Sequence, residues 1–223
     1  FCSLRPTEKI KKFTILGILF LLPITAYLFF SSGVNHFAKL PILTQGVLEI
    51  DQFESENKEK KELAGHLTIL CFFGNNLELT QPNVFNLAHK IYKKNYQFKD
   101  LQFIILTPSG TESQIKSLKQ KLSEIENPEN WNFVFGNTTE IQKVFKSLGS
   151  NFTLNSNFAS NQVFLIDKDR NLRGRDNDED VGLLYGFDSS NYSEINNKMD
   201  DDVRVLLAEY RLALKKYNSD REI

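Results

Sequence analysis

From Phe13 to Phe30 the chain reads FTILGILFLLPITAYLFF, an apolar run with no charged side chain. At about 1.5 Å per helical residue it spans roughly 27 Å, close to the hydrocarbon thickness of a bilayer. The run is therefore expected to cross a membrane once, as a transmembrane helix over residues 13–32. Pro23 is tolerated in such a helix where neighbouring groups satisfy the carbonyl it frees, so a modest kink is expected. Arg5, Lys9, Lys11 and Lys12 precede the run, whereas Ser31, Ser32, Gly33 and a single nearby base, Lys39, come after it. The positive-inside rule then puts residues 1–12 in the cytoplasm and everything after the span on the other side. A cleaved signal peptide is the competing reading, because Ser31-Ser32-Gly33 offers small residues. The length of the run and the lack of an A-x-A site favour a retained anchor. A lipoprotein reading of Cys2 is weaker, since Phe1 precedes it and the apolar span comes after it.

The anchor also limits the chemistry. The only cysteines, Cys2 and Cys71, fall on opposite sides of the span and cannot pair. No C-x-x-C, zinc-type cluster or disulfide framework is possible. His36, His66 and His89 are widely scattered. With 27 basic against 28 acidic side chains and a net charge of −1, the chain has no field to attract nucleic acid, which is set aside as a partner.

The chain beyond the anchor suits one domain. Residues 33–62 read as an extended lead-in with a short apolar stretch, Val47 to Ile50, and then a polar linker, Glu54 to Glu62. Residues 63–218 alternate strand and helix, leaving 219–223 as a tail. Leu67 to Phe73 and Leu101 to Leu106 are apolar runs of the kind buried on both faces of a sheet. Between them, Val84, Leu87, Ala88, Ile91 and Tyr92 fall at helical spacing, with Pro82 near the helix start. Thr111-Glu112-Ser113-Gln114 fits a capping box ahead of Ile115, Leu118, Leu122 and Ile125. Trp131, Phe133 and Phe135 alternate as a strand, and Ile141, Val144, Phe145 and Leu148 mark a helix. Gln162 to Asp167 and Asn171 to Arg175 read as two strands joined by a turn. A last helix runs from about Asp200, with Val203, Leu206, Leu207, Tyr210 and Leu214 on one face. Its acidic start, Asp200 to Asp202, and basic end, Lys215 and Lys216, suit the helix dipole. The expected class is α/β, a central mixed sheet flanked by helices.

The segments LTILCFFG, LQFIILTP, WNFVFGNTTEIQKVF and VFLIDKDRNLRG, in this order behind a single anchor, resemble the SCO (SenC) family of thioredoxin-like proteins that serve copper-site assembly in cytochrome c oxidase. The resemblance covers roughly Gly33 to Tyr217. It implies a thioredoxin-like domain in the periplasm, tethered to a bacterial inner membrane, with respiratory or oxidase-assembly proteins as partners. In that family two cysteines after the first central strand and a histidine before the hairpin bind copper. On this chain those positions are Asn76, Thr80 and Ala159. Amide, hydroxyl and methyl groups cannot replace two thiolates and an imidazole for a soft metal, and none can form a disulfide. The expectation is therefore a non-enzymatic domain without cofactor, in which Asn75, Asn76, Glu78 and Thr80 form a candidate partner-binding loop. A metallochaperone with substitute ligands such as Glu78, His66 or His89, and a structural subunit of another envelope complex, are the alternatives. Cys71, inside an apolar strand, is expected to be buried and inert.

Other patterns carry less. Asp167, Asp169 and Asn171 begin like an EF-hand loop, but Leu172 stands where Gly is needed and Asp178 where Glu is usual, so a hairpin turn is expected. Asp176, Asp178, Glu179 and Asp180 read as a solvated acidic loop, with a cation or a basic partner as alternatives. No G-x-S-x-G elbow is present, and a peroxiredoxin-like nucleophile would need a cysteine in the loop that lacks one. Three Asn-x-Ser/Thr sequons, at Asn137, Asn151 and Asn191, arise readily by chance in so Asn-rich a chain.

Overall fold

The computed structural model describes residues 6–32, 39–56 and 58–221, with side chains placed for 10–29, 39–56 and 58–211. The chain divides into two units, Phe1–Ala38 and Lys39–Ile223. In the first, α1 (Pro6–Ser32) is a continuous helix whose stretch Ile10–Phe29 is long and apolar enough to cross a membrane. Its large side chains, Phe13, Leu19, Phe20 and Leu22 among them, are exposed, as a lipid-facing surface requires. Pro23 lies inside the helix, where its ring removes a hydrogen bond to the Leu19 carbonyl. Cys2 and His36 fall outside the described residues.

In the second unit, β1 (Ile42–Thr44), β2 (Glu54–Ser55), β3 (Leu67–Phe72), β4 (Leu101–Pro108), β5 (Trp131–Gly136), β6 (Gln162–Ile166) and β7 (Leu172–Arg173) form a sheet in the order β1-β7-β6-β3-β4-β5-β2. A separate ribbon pairs β8 (Arg175–Asp178) with β9 (Gly182–Leu184), and β10 (Phe187–Asp188) returns to pair with β6. Strands β3, β4 and β5 are parallel, and β6 lies antiparallel to β3, so the sheet is mixed.

The placement of the helices comes from the alternation of apolar side chains along these strands. Ile69, Cys71, Phe103, Ile105, Trp131 and Phe133 point to one face. There they meet α2 (Leu77–Leu87), α4 (Glu112–Ser123) and α7 (Asp200–Arg221) through Val84, Ile115, Leu118 and Val203. Leu70, Phe72, Ile104, Val134 and Phe164 point to the other face and meet α5 (Thr138–Ser147) through Ile141, Val144 and Phe145. Val47, Ile50 and Phe53, from the lead-in, complete this second layer.

Several local expectations are corrected. Helix α2 starts at Leu77, so Pro82 lies inside it. The carbonyl left without a donor belongs to Glu78, whose residue is exposed to water. After Leu87 the helix widens into a π segment, Ala88–Tyr92, and ends in α3 (Lys93–Asn95). The capping box does not form. The Thr111 hydroxyl donates to the Pro108 carbonyl at 3.1 Å, and Gln114 turns to another helix. Glu54–Ser55 of the expected linker pairs with β5, and Ser55 is buried. Helix α7 does not begin freely at Asp200, because α6 (Tyr192–Glu194) and a π segment, Ile195–Met199, run directly into it. Its acids are held by bases instead of the dipole: Asp200 pairs with Lys94 at 2.7 Å and Asp202 with Arg175 at 2.8 Å. The side chains of Leu214, Lys215 and Lys216 lie outside the described set.

The EF-hand-like residues form the expected turn. Asp167 Oδ1 accepts from the backbone N–H groups of Asp169 and Asn171, both at 2.9 Å, and Arg170 supplies the positive φ that reverses the chain. The Asp167 carboxylate also meets Arg173 at 3.0 Å. Both side chains are almost fully buried, at 2% and 4% exposure. Arg173 in turn pairs with Glu209 of α7 at 2.6 Å and donates through Nε and Nη2 to the Leu40 carbonyl. One guanidinium therefore joins the hairpin, the last helix and the first described residues of the lead-in.

Candidate functional site

At the C-terminal end of β3 the chain leaves the sheet through Phe73 and Gly74 and turns into α2. Gly74 has φ +70°, a conformation that disfavours any side chain. It is also closed in by a second segment, since a Cβ there would sit 2.3 Å from the Asn157 carbonyl oxygen and 2.9 Å from Ala159 Cβ. Asn75 N–H donates to the Asn157 carbonyl at 3.0 Å, Ser160 N–H donates to the Phe72 carbonyl at 2.7 Å, and Phe73 bridges Ala159. The Asn155–Ser160 segment is thus bonded across the mouth of the loop. Ala159 faces Gly74 at that crossing.

Asn76 is the residue before the first turn of α2, is exposed, and makes no side-chain cap. Thr80, in the first turn, is buried, and its hydroxyl donates to the Phe73 carbonyl at 3.3 Å. The three positions that sequence matching singles out therefore lie on the loop, the helix start and the crossing segment around the end of β3. Asn75 and Glu78 are exposed beside them.

The sequence reading missed Gln114. From α4 its Oε1 accepts the Leu77 N–H at 2.9 Å, and its Nε2 donates to the Asn75 carbonyl at 3.2 Å. It satisfies one of the free N–H groups at the start of α2 and holds the loop in place. No local pattern points to this, because the contact joins residues 37 apart.

The candidate substitute ligands do not converge. His66 lies before β3 and Glu78 beyond its other end, separated by about 20 Å of extended chain. His89 is about 16 Å along the helix from Glu78. Both histidines and Glu78 are exposed. Among the described residues no three His, Cys, Asp or Glu side chains are grouped to hold a metal ion.

Cys71 is fully buried in the first layer of the core, and burial drives its thiol far above the ordinary range. With Cys2 replaced by serine, a disulfide thiol reagent at neutral pH is expected to label no thiol in the folded protein and one after denaturation. Labelling of the folded protein at the rate of a free thiol would contradict this placement.

The acidic loop is corrected from a solvated run to a partly internal one. Asp178 is buried, bonds Lys198 at 2.6 Å and approaches Arg175 at 3.4 Å. Burial alone would raise its pKa. The Lys198 hydrogen bond and the backbone N–H groups of Asp180 and Val181 outweigh that and hold it below the usual carboxylate value. Asp176, Glu179 and Asp180 remain exposed.

No family model matches the chain, and no curated protein does. Solved structures do. A protein from Bacteroides thetaiotaomicron, provisionally assigned as a protein disulfide isomerase, superposes with a TM-score of 0.51 at 11% identity, over 77% of this chain and 95% of that one. ScoI from Arabidopsis thaliana with copper bound gives a TM-score of 0.47 at 14% identity, over 72% and 98%. ScoI from Bradyrhizobium japonicum, also with copper bound, gives 0.46 at 15% identity, over 73% and 99%. At such identities the likeness concerns the fold. The domain is thioredoxin-like: a mixed sheet flanked by helices, in a chain whose N-terminal helix is a candidate membrane anchor.

Proposed function

We propose that this chain is a non-catalytic SCO-like protein that works by contact with other proteins, in a respiratory complex of the cytochrome oxidase type or during its assembly. In this reading α1 holds it in a bacterial inner membrane, residues before the span are cytoplasmic, and the thioredoxin-like domain is periplasmic. One observation supports the proposal: a loop and a crossing segment meet at the end of β3, and there Asn76, Thr80 and Ala159 offer no group able to ligate copper tightly or to exchange disulfides. Cys71 cannot substitute, being sealed in the sheet. What the loop presents to a partner is polar at Asn75, Asn76 and Glu78 and apolar at the neighbouring Leu79, which is 68% exposed. Thr80 lies beneath them.

Two measurements test this. The purified protein, offered Cu(I) and then dialysed, is expected to keep no stoichiometric copper, whereas the N76C/T80C/A159H variant is expected to retain about one ion per chain through two thiolates and an imidazole. Tight copper in the unaltered chain would overturn the non-catalytic reading. Failure of the triple variant to bind would show that these are not ligand positions. Affinity purification from detergent-solubilised membranes is expected to bring oxidase or electron-transfer components. Their absence would remove the respiratory assignment.

A further inference from the structure

The ribbon formed by β8 and β9 carries an exposed apolar surface on a rigid mount. Val181 and Leu183 are 61% and 50% exposed, while their neighbour Leu184 is buried in the core. Val181 stands in the turn before β9 and Leu183 within that strand, where alternation turns Leu183 outward and Leu184 inward. A bulge lies directly across from Leu183. Arg175 pairs with Leu184 and Asp178 with Gly182, so Asp176 and Asn177 both oppose Leu183.

This ribbon is fixed at several points. Arg175 binds Asp202 of α7 through both Nε and Nη2, at 2.8 and 2.9 Å. Lys198 bonds Asp178 and Asp180, each at 2.6 Å. At its root, Gly174 approaches so closely that a Cβ would lie 2.3 Å from the Leu184 carbonyl oxygen. Two apolar side chains displayed on so constrained a ribbon lose little freedom when covered, and that lowers the cost of binding.

The charge around them narrows what can cover them. Asp178, Asp180 and Asp202 already have ion-pair partners in Arg175 and Lys198, three carboxylates shared between two cations. Asp176 and Glu179 are exposed, and neither side chain makes an ion pair or hydrogen bond among the described residues. Two unpaired carboxylates beside an apolar pair disfavour an anionic lipid surface and favour a protein groove with a basic rim.

We propose that the β8–β9 ribbon is a docking surface of this protein besides the loop at the start of α2, inserting Val181 and Leu183 into an apolar groove of a partner protein rimmed by Lys or Arg that meet Asp176 and Glu179. The proposal deepens the contact function given above and rests on it.

The test uses the full chain in native membranes, with the photo-crosslinking amino acid p-benzoylphenylalanine at position 181 or 183, and at Lys143 as a control on an exposed helix. A discrete protein adduct is expected from 181 and 183 and not from 143, with the linked peptide mapping to an apolar segment flanked by Lys or Arg. The D176K/E179K variant, whose melting should be unchanged, is expected to lower the adduct at least about fivefold, as is raised salt. No adduct, an adduct equally strong from position 143, or a yield indifferent to charge reversal would overturn the docking surface. So would sedimentation of the protein with anionic phospholipid vesicles that depends on Val181 and Leu183. An adduct that behaves as expected but maps to a protein outside respiration would keep this surface and overturn the respiratory reading. Oxidase components that copurify equally with unaltered and V181S/L183S chains would do the reverse.

Discussion

Replacing Arg173 by methionine is expected to lower the stability of residues 39–223 by about 3–5 kcal/mol in urea unfolding, the range for breaking a buried ion pair from one side. Asp167 would keep its turn hydrogen bonds but lose the cation that compensates its buried charge, and the Leu40 carbonyl would lose two donors. Glu209, partly exposed, can be rehydrated and contributes less to the loss. The companion variant R173M/D167N removes the orphaned charge while an amide oxygen can still accept from the turn, so it should recover a substantial part of the deficit. A loss below about 1 kcal/mol in R173M would mean that the network is energetically idle, as many exposed pairs are.

The second large effect is expected at Gly74. An alanine there has to adopt φ +70° against the preference of an L residue, and its Cβ would overlap the Asn157 carbonyl at 2.3 Å. Backbone strain and overpacking together predict a loss of about 2–5 kcal/mol. The crossing segment should be displaced with it, so amide exchange of Asn75 and Ser160, whose N–H groups bridge the two chain segments, should quicken more than exchange in β4. Stability within about 1 kcal/mol of the parent and unchanged exchange would show that the Asn155–Ser160 segment yields easily. Cys71, a few residues earlier, should stay protected in either case unless the sheet itself opens.

The central strands were legible because they are buried on both faces, whereas the short edge strands β1 and β2 were read as lead-in and linker. Continuous runs such as LTILCF and LQFIILTP can be read without knowing their partners, and the hairpin around Asp167 announces itself through its Asx turn. Asn76, Thr80 and Ala159 were singled out by resemblance alone, and their residue types limit what chemistry is open to them. What local sequence hides is set by distant contacts. Gln114 resembles a capping residue of its own helix, yet α2 claims its amide. Asp200 to Asp202 look like charges for a helix dipole until Lys94, Arg204 and Arg175 reach them. Asp178 is indistinguishable in sequence from Asp176, and only the fold shows that Lys198, Arg175 and two backbone N–H groups meet the one while the other stays exposed. The start of α2 was misplaced for a local reason: Pro82 is a strong helix-start signal, and no side-chain cap at Asn76 competes with it.

The grip of Arg173 on the Leu40 carbonyl has a mechanical meaning. Leu40 lies at the head of the second unit, only two residues after the segment that leads from α1, and Gly174 N–H takes the next carbonyl, that of Pro41, at 3.1 Å. The Leu40 side chain is itself buried in the first core layer, so backbone and side chain are fixed together where the described part of the second unit begins. Strand β1 has only three residues, so the buried guanidinium braced by Asp167 and Glu209 is what clamps the head of the second unit to the hairpin and to α7.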